Sequence, residues 1–450
     1  MTVTAGRQPD HDDPGDVWPR DALAAVFGDD VAGLALVRML IAHPDWVHRR
    51  VDTLEYRDDT TFRRRQSVHF TVPAAAPRIR VSEARFRLVP LTTLCKETLV
   101  NFDCRDESGT ALPVLTREHQ GLLVLRGMTA WAEDIAGGRL AADVADEMAA
   151  CLTGDEVERA GARAAFAAGG GQRDLLRADA FFSLLLERLT DQFVLVTMVD
   201  DPPGTQRIVK FAYEELCELA TEPWPRAPLA ALCWIPRQAA TAAESLFSAE
   251  SYHFEADLPA GVDVPVASLW VGPGPDDLAC VDVDPGDHLR IALRSPGYDR
   301  GVAEVRWSLR PARRGWLRAA WFATTVAAVS LAVGAWRLDT ITADSSSGTR
   351  TELAAAVILA VVGALGGLVA RIEEHPLVTH ILAWPRRLAA VAAMLPLVAA
   401  SSLVVGPAGA ARHGLWISSA VVAGLIAAAF TVAFVRPATA ADRPPVDPRA

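Results

Sequence analysis

The residue types best equipped for chemistry crowd the stretch Arg371-Ile372-Glu373-Glu374-His375-Pro376 to His380, which holds two carboxylates and two imidazoles. Such groups bind transition metals or titrate near neutral pH. His375 and His380 stand five apart with a proline between them, which is not the i, i+4 spacing of a helical ligand pair, so a solvated turn with helix-end charges accounts for them. Asp276, Asp277, Asp282 and Asp284 surround a Gly-Pro-Gly-Pro run and could offer oxygens to a hard cation; a turn between two strands explains them as well. Gly169-Gly170-Gly171 lacks the lysine and the preceding strand of a phosphate loop and reads as a helix break. No GxxxxGK[ST], GxGxxG, GxSxG, HExxH or EF-hand loop occurs. The sequence therefore assigns no catalytic, cofactor-binding or metal-ligating residue.

What must position any chemistry is dominated by four apolar runs, Leu317–Leu338, Leu353–Ala370, Leu388–Val405 and Leu415–Val435. Each approaches the roughly 20 residues that a helix needs to cross about 30 Å of hydrocarbon. Backbone groups in lipid must be satisfied internally, so helices are required. Between Ala319 and Ala335, and throughout the other three runs, no charged residue appears; hydroxyls such as Ser401, Ser402 and Thr431 are present, with none of the ionisable residues that transporters and pumps keep at membrane depth. Small residues four apart, Gly363 with Gly367 and Ala420 with Gly424 and Ala428, would let helices approach closely. A homo-oligomer built through the spans is one assembly they could support.

Arginines set the expected orientation. Arg306, Arg310, Arg313, Arg314 and Arg318 form a basic collar before the first span, and with the second loop and the tail they place 11 arginines on one side against 3 on the other. Both termini are then expected in the cytoplasm, with the collar at the inner leaflet. Trp316, Trp321, Trp336, Trp384 and Trp416 flank span ends and are expected at headgroup level.

The net charge of −11 over 450 residues conceals an asymmetry. Residues 306–450 carry 14 arginines against 7 acids, leaving the first 305 with 30 basic against 48 acidic residues. So acidic a region repels phosphate backbones, which argues against nucleic acid as a partner. Only Lys96 and Lys210 are lysines, so arginine clusters such as Arg63–Arg65 reflect codon bias more than guanidinium chemistry. Six cysteines without CxxC spacing are expected as free thiols in a reducing compartment. The first residues lack the basic and apolar segments of a signal peptide.

Residues 1–18 read as a disordered tail. A cytosolic α+β module over 19–222 opens with one or two short helices before Pro44, then a hairpin of Val51–Tyr56 with Phe62–Val72. Strands follow at Phe86–Leu91 and Leu99–Cys104. Helices are expected from Thr116, over residues 140–152 and over 174–192, and then a hairpin of Phe193–Met198 with Arg207–Phe211. After a proline-rich connector, a helix near Ala239–Phe247 leads into a β-rich module, 229–312, with strands at Tyr252–Leu258, Pro265–Val271, Leu289–Arg294 and Val302–Leu309, sandwich-like by its short strands and turns. Val68-His69-Phe70-Thr71-Val72-Pro73 resembles Tyr252-His253-Phe254-Glu255-Ala256-Asp257-Leu258-Pro259, as a duplicated β-module or a shared strand-then-turn composition would give. Residues 1–312 are expected to fold without the membrane, and 437–450 form a cytosolic tail.

Leu88-Val89-Pro90-Leu91, then Leu99-Val100-Asn101-Phe102-Asp103-Cys104-Arg105-Asp106-Glu107 and Pro113-Val114-Leu115-Thr116-Arg117, resemble segments of uncharacterised multi-spanning membrane proteins of GC-rich, actinobacteria-like genomes. The resemblance covers residues 88–117 and the general layout. It implies a bacterial inner membrane and brings no activity, cofactor or site with it. The sequence thus reads as an α+β cytosolic region followed by a transmembrane domain, 316–436, of four helices. Its leading function is non-enzymatic: anchoring an acidic sensing or interaction region that meets the lipid bilayer and an unidentified cytosolic protein or ligand. A channel or membrane-perturbing effector gated by that region, and a tethered cytosolic enzyme, are the alternatives.

Overall fold

The computed structural model describes residues 30–81, 83–96, 100–216, 226–243, 249–271, 288–294, 303–343, 375–404 and 409–436, with a few isolated positions between them. The second apolar run with Gly363 and Gly367, the Asp276–Asp284 cluster, Glu373 and Glu374, and both terminal tails lie outside the described residues.

In chain order, the N-terminal elements are α1 (Asp30–Ile41), α2 (His43–Trp46), β1 (Val47–Tyr56), β2 (Thr61–Thr71), β3 (Arg78–Val81), β4 (Ala84–Cys95) and β5 (Val100–Arg105). A helical stretch follows as α3 (Arg117–Ala136), α4 (Ala142–Thr153), α5 (Glu156–Ala168), α6 (Gln172–Ala178) and α7 (Ala180–Asp191). Then come β6 (Gln192–Asp200), β7 (Gln206–Leu216), α8 (Arg226–Ala231), β8 (Arg237–Ala242), β9 (Ser251–Asp257), β10 (Val262–Asp263), β11 (Ala267–Val271), β12 (Leu278–Ala279), β13 (His288–Arg294) and β14 (Ala303–Pro311). The chain ends in α9 (Trp316–Trp336), α10 (Leu338–Ala343), α11 (Pro376–Ile381), α12 (Ala383–Val404) and α13 (Ala410–Val435).

The strands form three sheets: six strands in the order β13-β9-β1-β2-β7-β5, three as β3-β4-β6, and five as β10-β14-β11-β12 with β8 also on β14. All pairings among described residues are antiparallel except β1 with β9. The expected hairpin of β1 with β2 is present, Asp52 facing Gln66 in register. The sequence reading divides 19–222 from 229–312, whereas in the structure β9 and β13 complete the sheet begun by β1. The two similar segments therefore flank β1 in a single sheet, β9 parallel to it and β2 antiparallel.

Three departures from expectation have local causes. β6 and β7 are not a hairpin: β6 pairs with β4, while β7 pairs with β2 and β5. The turn at 201–204 carries the chain between facing sheets, so Leu195 and Val199 meet Val209 and Phe211 across a shared core. The helix expected over 174–192 breaks at Asp179, whose extended backbone and side-chain oxygen cap the amides of Phe181 and Phe182 at 3.0 and 2.9 Å. The helix expected near Ala239 is instead strand β8, because its short residues pair along the edge of β14. Thr116 does cap α3, accepting from the His119 amide.

Alternation along β4 and β6 separates two cores. Leu88, Val194, Val196 and Met198 face the helical layer of α1 and α3 to α7, while Val89, Leu91 and Leu195 face the six-stranded sheet. Where α1 crosses α3, Gly33 meets Gly127; a Cβ on Gly33 would sit 2.6 Å from the Gly127 amide, so only glycine permits that approach.

Among the described residues three helices are long and apolar enough to cross a membrane: Trp316–Trp336, Ala383–Leu403 and Ala410–Val435. The first packs on the last. Trp416 lies against Gly334 and donates to Ser402 Oγ at 3.1 Å, and Trp321 stacks on Phe434 and donates to Thr431 Oγ1 at 2.9 Å. Trp316 and Trp416 are thus buried packing residues rather than exposed headgroup markers.

The six-stranded sheet does not end its core at the bundle. Leu54, Tyr56 and Phe62 share one apolar cluster with Trp307 and Leu309 of β14 and with Leu317, Ala320, Leu377, Ile381, Ala389 and Phe430 of the C-terminal helices. The expectation that residues 1–312 fold alone leaves out this shared cluster. Buried Leu and Phe side chains are worth about 1.5–3 kcal/mol each. A fragment ending at 312 exposes the floor of that cluster, and we expect it to aggregate or to melt without a cooperative transition by circular dichroism; a monomeric fragment with a sharp melt would contradict the shared core.

Candidate functional site

Strands β1 and β2 carry unlike chemistry on their two faces. Alternation sends Arg50, Asp52, Leu54 and Tyr56 inward from β1 and Phe62, Arg64, Gln66 and Val68 inward from β2. The apolar members divide between the cluster that reaches the membrane helices and the cluster under β4 and β6. Between them runs a buried polar belt with Asp52 as its hub.

Arg64 donates to both Asp52 oxygens, Nε to Oδ1 at 3.0 Å and Nη2 to Oδ2 at 2.5 Å, a two-pronged fork. The Tyr252 hydroxyl donates to Asp52 Oδ2 at 3.0 Å and the Gln66 amide reaches it at 3.4 Å. Arg64 also donates to the Ala242 carbonyl of β8 at 2.8 Å and to Glu215 at 3.3 Å. Arg50 donates to the Leu91 carbonyl of β4 at 2.5 Å. The belt therefore ties the six-stranded sheet to both of the others. Arg50 and Asp52 are 0% exposed. Burial pushes the Arg50 pKa down to about 10, against the pull of Asp52. Beside Arg50, His43 is buried and bonded to the Pro90 carbonyl at 2.9 Å. A carbonyl only accepts, so Nε2 carries the hydrogen. Burial first, and then the Arg50 charge, push the His43 pKa down to about 3.

The outward face of the same strands forms one wall of a groove of about 520 Å³, closed by β5 and the turn after it. Arg63, Arg65, Arg105 and Lys210 line it with Asp103, Asp106 and Glu107. The sequence reading set Arg63–Arg65 aside as codon bias; the structure gives the middle arginine to the belt and its neighbours to the groove.

The stretch around His375 and His380 is not a solvated turn. Leu377, Val378, Ile381 and Leu382 are buried in the shared cluster. His375 Nδ1 accepts from the Leu377 amide at 3.2 Å, so its Nε2 hydrogen goes to the Tyr56 carbonyl 3.1 Å away. Arg237 donates to His380 Nε2 at 3.0 Å, which leaves the Nδ1 hydrogen for Asp59 at 3.2 Å. Among the described residues no group of three or more His, Cys, Asp or Glu could hold a metal ion. The imidazoles here act as clasps between the helical end of the chain and the β1–β2 hairpin. Trp234 adds a third tie, donating to the Ala429 carbonyl inside α13 at 2.9 Å.

The collar is not uniform. Arg306 lies on β14, buried, and pairs with Glu304 at 2.6 Å, which removes it from a lipid-facing set. Arg313 donates to the Arg436 carbonyl at 2.6 Å, and Arg314 and Arg318 are exposed. On α13 the buried stripe is Trp416, Ser419, Ala423, Ile426, Ala427 and Phe430. Ala428 is exposed and a Cβ on Gly424 would meet open space, so the spacing of Ala420, Gly424 and Ala428 does not coincide with that stripe.

The chain matches no protein-family profile and no curated protein.

Two outcomes follow from the belt. Asp52→Asn removes the buried counter-charge of Arg64 and Arg50, leaving Arg64 only its longer contact to Glu215, and should cost about 3–5 kcal/mol, whereas the double change Asp52→Leu with Arg64→Met should recover most of that stability; urea unfolding in detergent compares them. A neutral His43 in the fold against an unfolded value of about 6.5 makes the unfolded chain bind the extra proton. Its stabilising contribution is complete above about pH 6.5 and is lost as pH falls toward 3, with a slope of at most about 1.4 kcal/mol per pH unit. His43→Gln keeps a donor for Pro90 and should flatten that acid limb in melts recorded from pH 7 to 4; an unchanged limb would remove His43 as its source.

Proposed function

We propose that this is a polytopic membrane protein whose bundle anchors an acidic α+β region on the cytoplasmic side of a bacterial inner membrane, where that region senses a ligand or engages a partner rather than catalysing a reaction. The observation that carries this reading is the cluster running from Leu54 and Phe62 through Trp307 into Leu317, Leu377 and Phe430. A domain merely tethered to a membrane needs no common core with its anchor. Here strands and spanning helices are packed as one solid, and protein interiors transmit displacement because they are close-packed. The clasps of His375 and His380 strengthen that junction.

The cytoplasmic orientation rests on the arginine split, and the resemblance to membrane proteins of GC-rich bacteria agrees with it. Fusions test it: a fluorescent protein that matures only in the cytoplasm should glow at Ala450, and alkaline phosphatase should be active at Ser346 between the first two apolar runs. Active phosphatase at Ala450, or release of the chain from membranes by alkaline carbonate, would overturn the proposal.

A further inference from the structure

We propose that the groove on the outer face of the six-stranded sheet binds a small organic phosphate, with Arg63, Arg65 and Lys210 receiving the phosphoryl group and Thr53 and Ser67 supplying hydroxyls. The inference rests on the sensing reading above and names the ligand class for it.

Charge pairing carries the argument. Three carboxylates line the groove, and each is already engaged. Asp103 holds Arg105 at 2.8 Å, Glu107 holds Arg207 at 3.2 Å, and Asp106 accepts from Ser108 and from the Thr110 amide within its own turn. Arg65 lines the groove and pairs with Glu55 at 2.7 Å, so its charge is already partly met. Arg63 and Lys210 are left over: among the described residues neither has a hydrogen-bond or ion-pair partner, and Glu214, opposite Arg63 in register, makes no ion pair with it. The Arg63 Nε is buried with nothing to accept its hydrogen. A buried donor left unmade is costly, and native chains keep few of them. The other lysine shows the contrast, since Lys96 is spent on the Cys151 and Leu152 carbonyls at the end of α4. Two unpaired cations in one groove, inside a region with 48 acids against 30 basic residues, call for an anion from outside.

The size and valence of that anion follow. A cavity of about 520 Å³ falls within the range of about 300–1,000 Å³ typical of small-molecule sites. The guanidinium groups of Arg63 and Arg65 and the Lys210 ammonium line it, and that much positive charge suits a doubly charged phosphate monoester better than a single carboxylate.

Calorimetric titration of the full chain in phosphatidylcholine nanodiscs tests the site, with AMP, glycerol 3-phosphate and inorganic phosphate as probes and succinate as the carboxylate control. At least one organic phosphate should bind saturably, and Arg63→Gln and Lys210→Gln should each weaken it about tenfold or more, while Arg173→Gln, at an ion pair on the helical layer, leaves it unchanged. Absence of saturable binding by all three phosphates up to about 10 mM, ten times the millimolar end of specific affinities, overturns the proposal. So does succinate binding as tightly as the phosphates, or indifference to both groove substitutions. The variants should melt like the parent and resist carbonate extraction, and an unsubstituted chain that binds none of the phosphates while staying membrane-integrated refutes the groove alone and leaves the anchoring reading standing.

Discussion

The Asp52–Arg64 pair is the constraint from which most of this architecture follows. Two charges taken out of water recover little net stability even when well bonded, but losing one of them is severely destabilising. The pair therefore enforces arrangement more than it adds stability. Asp52 satisfies itself only if Arg64, Tyr252 and Gln66 all point at it, which requires β1, β2 and β9 in one register. A slip of a single residue on either side would send the charges to the solvent face and Thr53 or Arg63 into the core. Because Arg64 also bonds the β8 carbonyl and Arg50 the β4 carbonyl, the relative placement of all three sheets hangs on the same few groups. Apolar packing, being non-directional, could not set that alignment alone.

Local pattern in the sequence exposes the individual elements more faithfully than their partners. The hairpin of β1 with β2, the Thr116 cap and three helices long and apolar enough to cross a membrane are legible because alternation, capping chemistry and long apolar runs are local signals. The β6–β7 pairing is not, because a Pro-Gly turn between two strands looks the same whether they pair or pass between facing sheets. The belt was within reach: carrying the alternation of Leu54 and Tyr56 back along β1 puts Asp52 and Arg50 on the buried face, and the same step along β2 puts Arg64 opposite. Reading the arginines as codon bias hid it. The groove was out of reach, since it is assembled from β1, β2, β5 and β7, and nothing in the spacing of Arg63 and Lys210 brings them together.

The junction with the bundle shows the same limit from another side. His375-Pro376 reads as a turn from its composition, and it does begin a short helix with proline in its first turn. What composition cannot show is that Leu377, Val378 and Ile381, three apolar residues in a six-residue helix, find their partners more than 60 residues upstream, on β14 and the strand faces. Once they are buried, His375 and His380 stand beside the hairpin, and their side chains bond its groups. Burial of the apolar residues thus explains the clasps.

The two faces of β1 and β2 can then be considered as one device. Arg63 and Arg65 face the groove, and Arg64 between them holds the belt. A strand has no freedom to rotate one residue without its neighbours, because successive side chains alternate on a shared ladder of backbone hydrogen bonds. An anion that draws Arg63 outward must therefore either leave the ladder unmoved or shift Arg64 against Asp52. The belt resists that shift, since Arg64 is held by Asp52, Glu215 and the Ala242 carbonyl together, and the apolar cluster beneath it continues into the C-terminal apolar helices. Movement on this sheet would pass to α9 and α13 as a rigid displacement of the hairpin rather than as a repacking of its core, and the clasps at Tyr56 and Asp59 stand at the end of the hairpin where such a displacement is largest.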